Sequence, residues 1–121
     1  MAARATAAEI KKLFLGVWPL PATDTNVADI LSGIDYMLDG YVKRYYNVTL
    51  SATDTDVVHI ANMMGKQVVL DAVWSVAGGT ASTSTGPRPE VFTQEIKDLI
   101  EAVVVSQTYD GSSTLETISE D

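Results

Sequence analysis

The stretch from about residue 55 to 76, TDVVHIANMMGKQVVLDAVWSV, constrains this chain more than any other. Val57, Ile60, Ala61, Met64, Val68, Ala72 and Val76 recur at helical spacing on one face, and Val58, Val69 and Val73 add a second stripe. A helix apolar over so much of its circumference must be covered on several sides, so it belongs at the middle of a domain or an assembly. The rest of the chain is read as what packs around it.

Three further segments carry the same rhythm. Thr6 stands three residues before Glu9, a capping-box pattern, and Ile10, Leu13, Phe14 and Val17 follow, which predicts a short helix over about 6–16 ended by WPLP at 18–21. TDTNV at 23–27 and TDTDV at 53–57 both set capping side chains ahead of an apolar run, so each reads as a helix start. After the first of these, Val27, Ile30, Leu31, Ile34, Leu38, Tyr41, Val42 and Tyr45 predict a helix over 26–46, roughly 30 Å long. Gly33 and Gly40 lie inside it, each weakening it by about 1 kcal/mol relative to alanine, which implies close approach of another backbone or a bend. Pro89 is suited to the first position of a last helix, with Phe92, Ile96, Leu99, Ile100, Val103 and Val104 as its apolar stripe to about residue 105.

Two segments lack periodicity. AGGTASTSTGPRP at 77–89 has the composition of an exposed flexible loop. SQTYDGSSTLETISED at 106–121 contains four acidic residues and no basic one, and reads as an acidic C-terminal arm whose TLETIS segment docks on a partner. The expected fold is all-α: a small bundle of about four helices over residues 1–105, a long flexible loop, and an extended arm over 106–121. A chain of 121 residues can bury about two-thirds of its unfolded surface, so this core needs no staples.

Charge and composition exclude several functions. Residues 1–46 balance five basic against five acidic residues, whereas 47–121 hold three against eleven and carry the whole net charge of −8. Phosphate binding needs clustered Lys and Arg, so general DNA binding is not expected; a surface that DNA slides past would be acidic. With no cysteine, disulfides, thiolate metal sites and cysteine nucleophiles are excluded. The single histidine, His59, has no HExxH context, and no phosphate-binding glycine pattern occurs. Asp54 and Asp56 start like a calcium loop, but its sixth and twelfth positions are occupied by His59 and Gly65, so they read as caps. NVT at 47–49 fits the glycosylation tripeptide, a pattern common by chance. No catalytic, cofactor-binding or metal-binding residue is assigned, and the expectation is a protein that is not an enzyme.

KKLFLGVWPLPA sets lysines ahead of an apolar stretch as a signal peptide does, but Glu9 precedes it and Pro19 and Pro21 interrupt it. No run approaches the roughly 18 apolar residues of a membrane span. The expectation is a protein made in a cytosol, with no membrane partner.

The aromatic and basic residues gather in DYMLDGYVKRYYNVTL at 35–50. Tyr41 and Tyr45 continue the stripe of Ile34 and Leu38 and so belong to the core or an interface, whereas Tyr36 and Tyr46 fall off it and suit packing on a neighbouring subunit. Lys43 and Arg44 complement the negative end of the helix dipole, with Asp39 one turn before Lys43 in the favourable orientation. The other reading of Tyr36, Tyr41, Lys43, Arg44, Tyr45 and Tyr46 is a small regulatory or nucleic-acid-binding module, although two phosphate contacts supply little affinity.

The order of these features resembles the head–tail connector (adaptor) proteins of tailed phages and related archaeal viruses. The residues that carry the resemblance are Ile34, Leu38, Asp39, Gly40, Tyr41, Arg44, Tyr45, Val48 and Leu50, a DGY-x-x-RY helix end with an apolar exit, followed by Asp54, Val57, Ile60 and Ala61. It covers about residues 6–105. The resemblance implies a small helical structural protein without catalytic residues or cofactor, forming a homo-oligomeric ring, typically dodecameric, beneath the portal protein. Such a ring lies in the neck of the virion, extends the channel through which genomic DNA passes without sequence-specific binding, and docks the tail or a tail-completion protein. Another neck or tail-completion ring protein would have the same bundle. The candidate interface residues are Tyr36, Tyr41, Lys43, Arg44 and Tyr46 on the second long segment, and Tyr109, Leu115 and Ile118 on the arm. The surplus of apolar faces exceeds what one small bundle must bury, which fits an oligomer.

Overall fold

A computed structural model describes residues 3–76 and 88–108. They form five helices and no strand: α1 (Ala7–Lys12), α2 (Asp24–Ala28), α3 (Leu31–Tyr46), α4 (Thr55–Val76) and α5 (Gln94–Thr108). The expected all-α bundle is therefore the fold, with α4 at its centre packed against α1, α3 and α5, and with α2 packed on α1. Ile10, Ile34, Leu38, Val42, Val57, Ile60, Met64, Ile96 and Ile100 are buried together. Gly65 permits the tightest contact. A β-carbon there would collide with Ile10 Cδ1 and lie 2.9 Å from Ile10 Cγ1 and 3.2 Å from Ile34 Cδ1. The backbone of α4 thus touches the side chains of both α1 and α3.

The caps explain where the helices begin. Thr6 Oγ1 accepts from the Glu9 amide, but the other half of the expected box is made elsewhere: the Thr6 amide donates to Asn62 Oδ1 on α4, while Glu9 pairs with Lys12. Thr23 and Asn26 form a reciprocal capping box on α2. Asp54 Oδ1 accepts from the amides of Asp56 and Val57, the capping role expected of it at the start of α4.

Four expectations are corrected. The helix predicted over 26–46 is broken at Asp29 and Ile30, where Ile30 (φ −103°, ψ 1°) leaves helical geometry and its amide bonds back three residues to Val27. Thr23 and Asn26 cap the start of a separate short helix, α2, and α3 starts without a side-chain cap. The stripe Val68, Ala72, Val76 is not the covered face of α4 throughout: Ala72 and Val76 are exposed, because the last turns of α4 extend past the neighbours that bury Val57 to Met64. The first helix ends at Lys12; Leu15, at φ +60°, and Gly16, whose amide reaches back to the Lys11 carbonyl, close it with a left-handed turn. The last helix does not start at Pro89. Thr93 caps it through Oγ1 to the Ile96 amide, and the chain before it is held by Gln67, whose Nε2 donates to the Glu90 carbonyl.

At its far end α5 runs on to Thr108, past the expected boundary at 105. The segments read as a flexible loop and as the body of the acidic arm fall on 77–87 and 109–121, outside the described residues.

Candidate interaction surface

The aromatic and basic end of α3 is built by its register on α4 and α5. Ile34, Leu38 and Val42 face inward, which turns Tyr41 toward the segment ahead of α5. There its ring stacks on Phe92 with centroids 4.5 Å apart and an interplanar angle of 18°. Tyr45 lies 4.7 Å from the same ring at an interplanar angle of 50°, and the Arg44 guanidinium stands 5.5 Å from the Tyr45 ring centroid. Phe92, Tyr41, Tyr45 and Arg44 form one continuous cluster, in which Tyr41 contacts both other rings.

The other predicted residues divide between inside and outside. Tyr46 is half-buried and packed on the core of its own chain. Burial pushes its phenol above the ordinary value, and the negative charge of Glu101, Tyr41 and Asp98 adds to the shift. Tyr45, expected on the inner stripe, is 60 % exposed because the helix ends there and no element continues beneath it. Tyr36 is 82 % exposed. Lys43 and Arg44 are exposed in the last turn of α3, as expected. Asp39 does not pair with Lys43 but with Arg4, at 2.9 Å. Tyr109, Leu115 and Ile118 lie outside the described residues.

A second surface lies where α4 outruns its neighbours. Pro21, Ala22 and Val27 on one side and Val69, Val73 and Val76 on the other enclose an open apolar groove of about 230 Å³. Asn26 is its one polar side chain. Beside it the connection from α1 to α2 displays Leu15, Val17 and Leu20, at 93, 72 and 87 % exposure. Trp18 fastens that connection: its ring packs against Phe14 and its Nε1 donates to Asp24 Oδ1. This bond, with Lys11 at 3.5 Å from the same oxygen, holds the Asp24 carboxyl below its ordinary value against the opposing effect of burial.

His59 is exposed on α4 and borders a shallow groove with Lys66, Thr93 and Glu95. Among the described residues no group of three or more His, Asp or Glu side chains is placed to hold a metal ion, and no helix is long and apolar enough to cross a membrane.

No family model, curated protein or solved structure matches this chain.

Sequence reasoning missed two features. The first is Arg4, whose buried side chain donates to the Ser51 and Leu50 carbonyls, reaches Asp35 at 3.4 Å and pairs with Asp39, while its amide donates to Asp35 Oδ2. It ties the N-terminal segment to α3 and to the α3–α4 connection, and since it precedes every periodic segment no local pattern marks it. The second is the groove. Its signal was present in the apolar residues at the end of α4, but those were assigned to a core stripe.

Proposed function

We propose that this chain is a structural ring subunit of a virus neck, a head–tail adaptor that sits under the portal protein, extends the DNA channel and docks the tail or a tail-completion protein. The observation that carries the reading is the presence of two different exposed surfaces on one small bundle. One is the outer face of α3, where Tyr36 projects at 82 % exposure between Gly33 and Gly40; the other is the apolar groove at the end of α4 flanked by Leu20 and Val76. A head-to-tail ring requires two different surfaces on every subunit, one for each neighbour, whereas a monomer gains nothing from exposing either. The order of sequence features supports the neck as the place of that ring. The acidic second half of the chain supports a channel that does not retain DNA.

The nucleic-acid reading of the same tyrosines is less well supported, because Tyr41 is already stacked on Phe92 and in contact with Tyr45, and only Lys43 and Arg44 stand beside them on α3 for phosphate.

The test is a set of two-dimensional class averages of the purified protein, alone and mixed with portal rings from a tailed virus, with light scattering for mass. Closed rings, of about twelve copies by the resemblance, that stack on the portal are expected. A species that stays monomeric and ignores the portal would refute the proposal. Rings that ignore the portal but bind a tail component would move the protein one ring further down the neck.

A further inference from the structure

We infer that Tyr36, on the outer face of α3, seats in the α2–α4 groove of the next copy of this chain, and that this pairing is the subunit contact. The inference rests on the ring reading above and names the two surfaces that meet.

The groove has the size and chemistry for a side chain. Its roughly 230 Å³ falls below the 300–1,000 Å³ of pockets for free small molecules. Its walls are aliphatic apart from Asn26, whose Nδ2 makes only a long 3.5 Å contact with the Pro21 carbonyl. A tyrosine suits such a site: the ring fills the apolar part and the hydroxyl accepts from the amide.

The face of α3 has the complementary relief. Tyr36 stands out between Gly33 and Gly40, about one turn to either side, and a β-carbon at either glycine would meet nothing within 4 Å. Neither glycine is therefore required by packing inside the chain, although each weakens the helix by about 1 kcal/mol. Bare backbone on both flanks of a projecting ring lets the two walls of a neighbour's groove close around it. Placing two such faces together instead would set ridge on ridge and leave both grooves empty.

The charges also match. Lys43 is two turns beyond Tyr36 on the same face, about 10 Å along the axis, with Arg44 beside it. At the groove, exposed Asp29 adjoins the lining residue Ile30 and enters no ion pair among the described residues. A positive end of the ridge thus meets a negative edge of the groove, which fixes the direction of docking. Because ridge and groove are different surfaces, the contact is heterologous and propagates head to tail until it closes.

The absence of cysteine makes the test clean. Ser32→Cys, one turn before Tyr36 on α3, and Ser75→Cys, beside the groove on α4, are both at exposed positions and leave Tyr36 and the groove lining in place. They are prepared separately, mixed in equal amounts and treated with a short bis-maleimide. The expected result is a covalent dimer in the mixture several-fold above that of either variant alone, and a ladder of multimers when both cysteines are in one chain. In parallel, Tyr36→Ala is expected to raise the concentration needed for assembly about tenfold or more, with unchanged helicity by circular dichroism. A ring of unaltered size that gives no 32–75 product, or one in which Ser32→Cys alone links as strongly, overturns this contact but leaves the ring reading standing. A protein that is monomeric at every concentration removes both.

Discussion

A methyl group added at Gly65 and one added at Gly40 would meet opposite surroundings. At Gly65 it would press into Ile10 and Ile34, both fully buried, and overpacking of that kind costs about 1–3 kcal/mol, offset by about 1 kcal/mol of helix propensity. Gly65→Ala is therefore expected to lower the unfolding free energy by up to about 2 kcal/mol in a urea titration. At Gly40 it would project into open space, so Gly40→Ala is expected to raise stability by up to about 1 kcal/mol in the same measurement. Equal changes in both variants would disprove the packing described for α4. Periodicity places all three glycines in helices, and the sequence reading took Gly33 and Gly40 as marks of close approach by another backbone or of a bend. Inside the chain that role falls to Gly65, since spacing along one helix does not reveal what lies across from it. Arg4 was hidden for a related reason: its partner Asp35 is 31 residues away in sequence. Arg4→Met should destabilise by about 2–3 kcal/mol, below the usual cost of breaking a buried pair because Asp39 is half exposed. A loss under about 0.5 kcal/mol would mean that the arginine cluster contributes only as a surface ion pair does.

At the scale of elements, α4 was legible to the residue because three signals coincide in it: a cap at Asp54, two apolar stripes, and a polar segment at each end. The break between α2 and α3 was not, because Val27, Ile30, Leu31 and Ile34 keep the helical rhythm straight through it. The break is a local backbone turn at Asp29 and Ile30, where the Ile30 amide donates to the Val27 carbonyl, and the apolar pattern does not encode it. The connection from α1 to α2 depends on a clasp of the same local kind, Trp18 on Asp24. Since the Asp24 carboxyl is held below its ordinary value in the folded chain, its contribution is complete above the ordinary aspartate value. It is lost as the pH falls through the lowered one. With Trp74→Phe leaving Trp18 as the only indole, fluorescence followed from about pH 6 downward should stay constant until below about pH 4 and then change as the clasp opens. Asp24→Asn should abolish that acid transition. An identical transition in the Asn variant would assign it to some other group.

For the whole molecule, the charge distribution decides how a ring of these chains would treat DNA. The N-terminal half is balanced, and the described part of the acidic half includes α5, where Glu95, Asp98 and Glu101 recur every three residues and are exposed. If residues on α5 face the channel of the proposed ring, every subunit repeats their repulsion for phosphate, and many copies at the rim of one channel sum to a field that no single chain produces. The native protein is then expected to show no measurable binding to a short duplex at about 0.15 M salt. The triple variant Glu95→Lys, Asp98→Lys and Glu101→Lys changes the chain's charge by six, from −8 to −2, and replaces that repulsion by clustered cations at an unburied surface. Assembled, it should retain duplex DNA, with log K falling against log salt by about 0.9 for each phosphate neutralised. The slope is the discriminating quantity. With Lys97 the α5 of the variant carries four cations. A value well above four therefore requires contacts from more than one subunit and hence a common channel, whereas a value of four or less in an assembled ring would put α5 on the outside and leave the acidity as a matter of solubility alone.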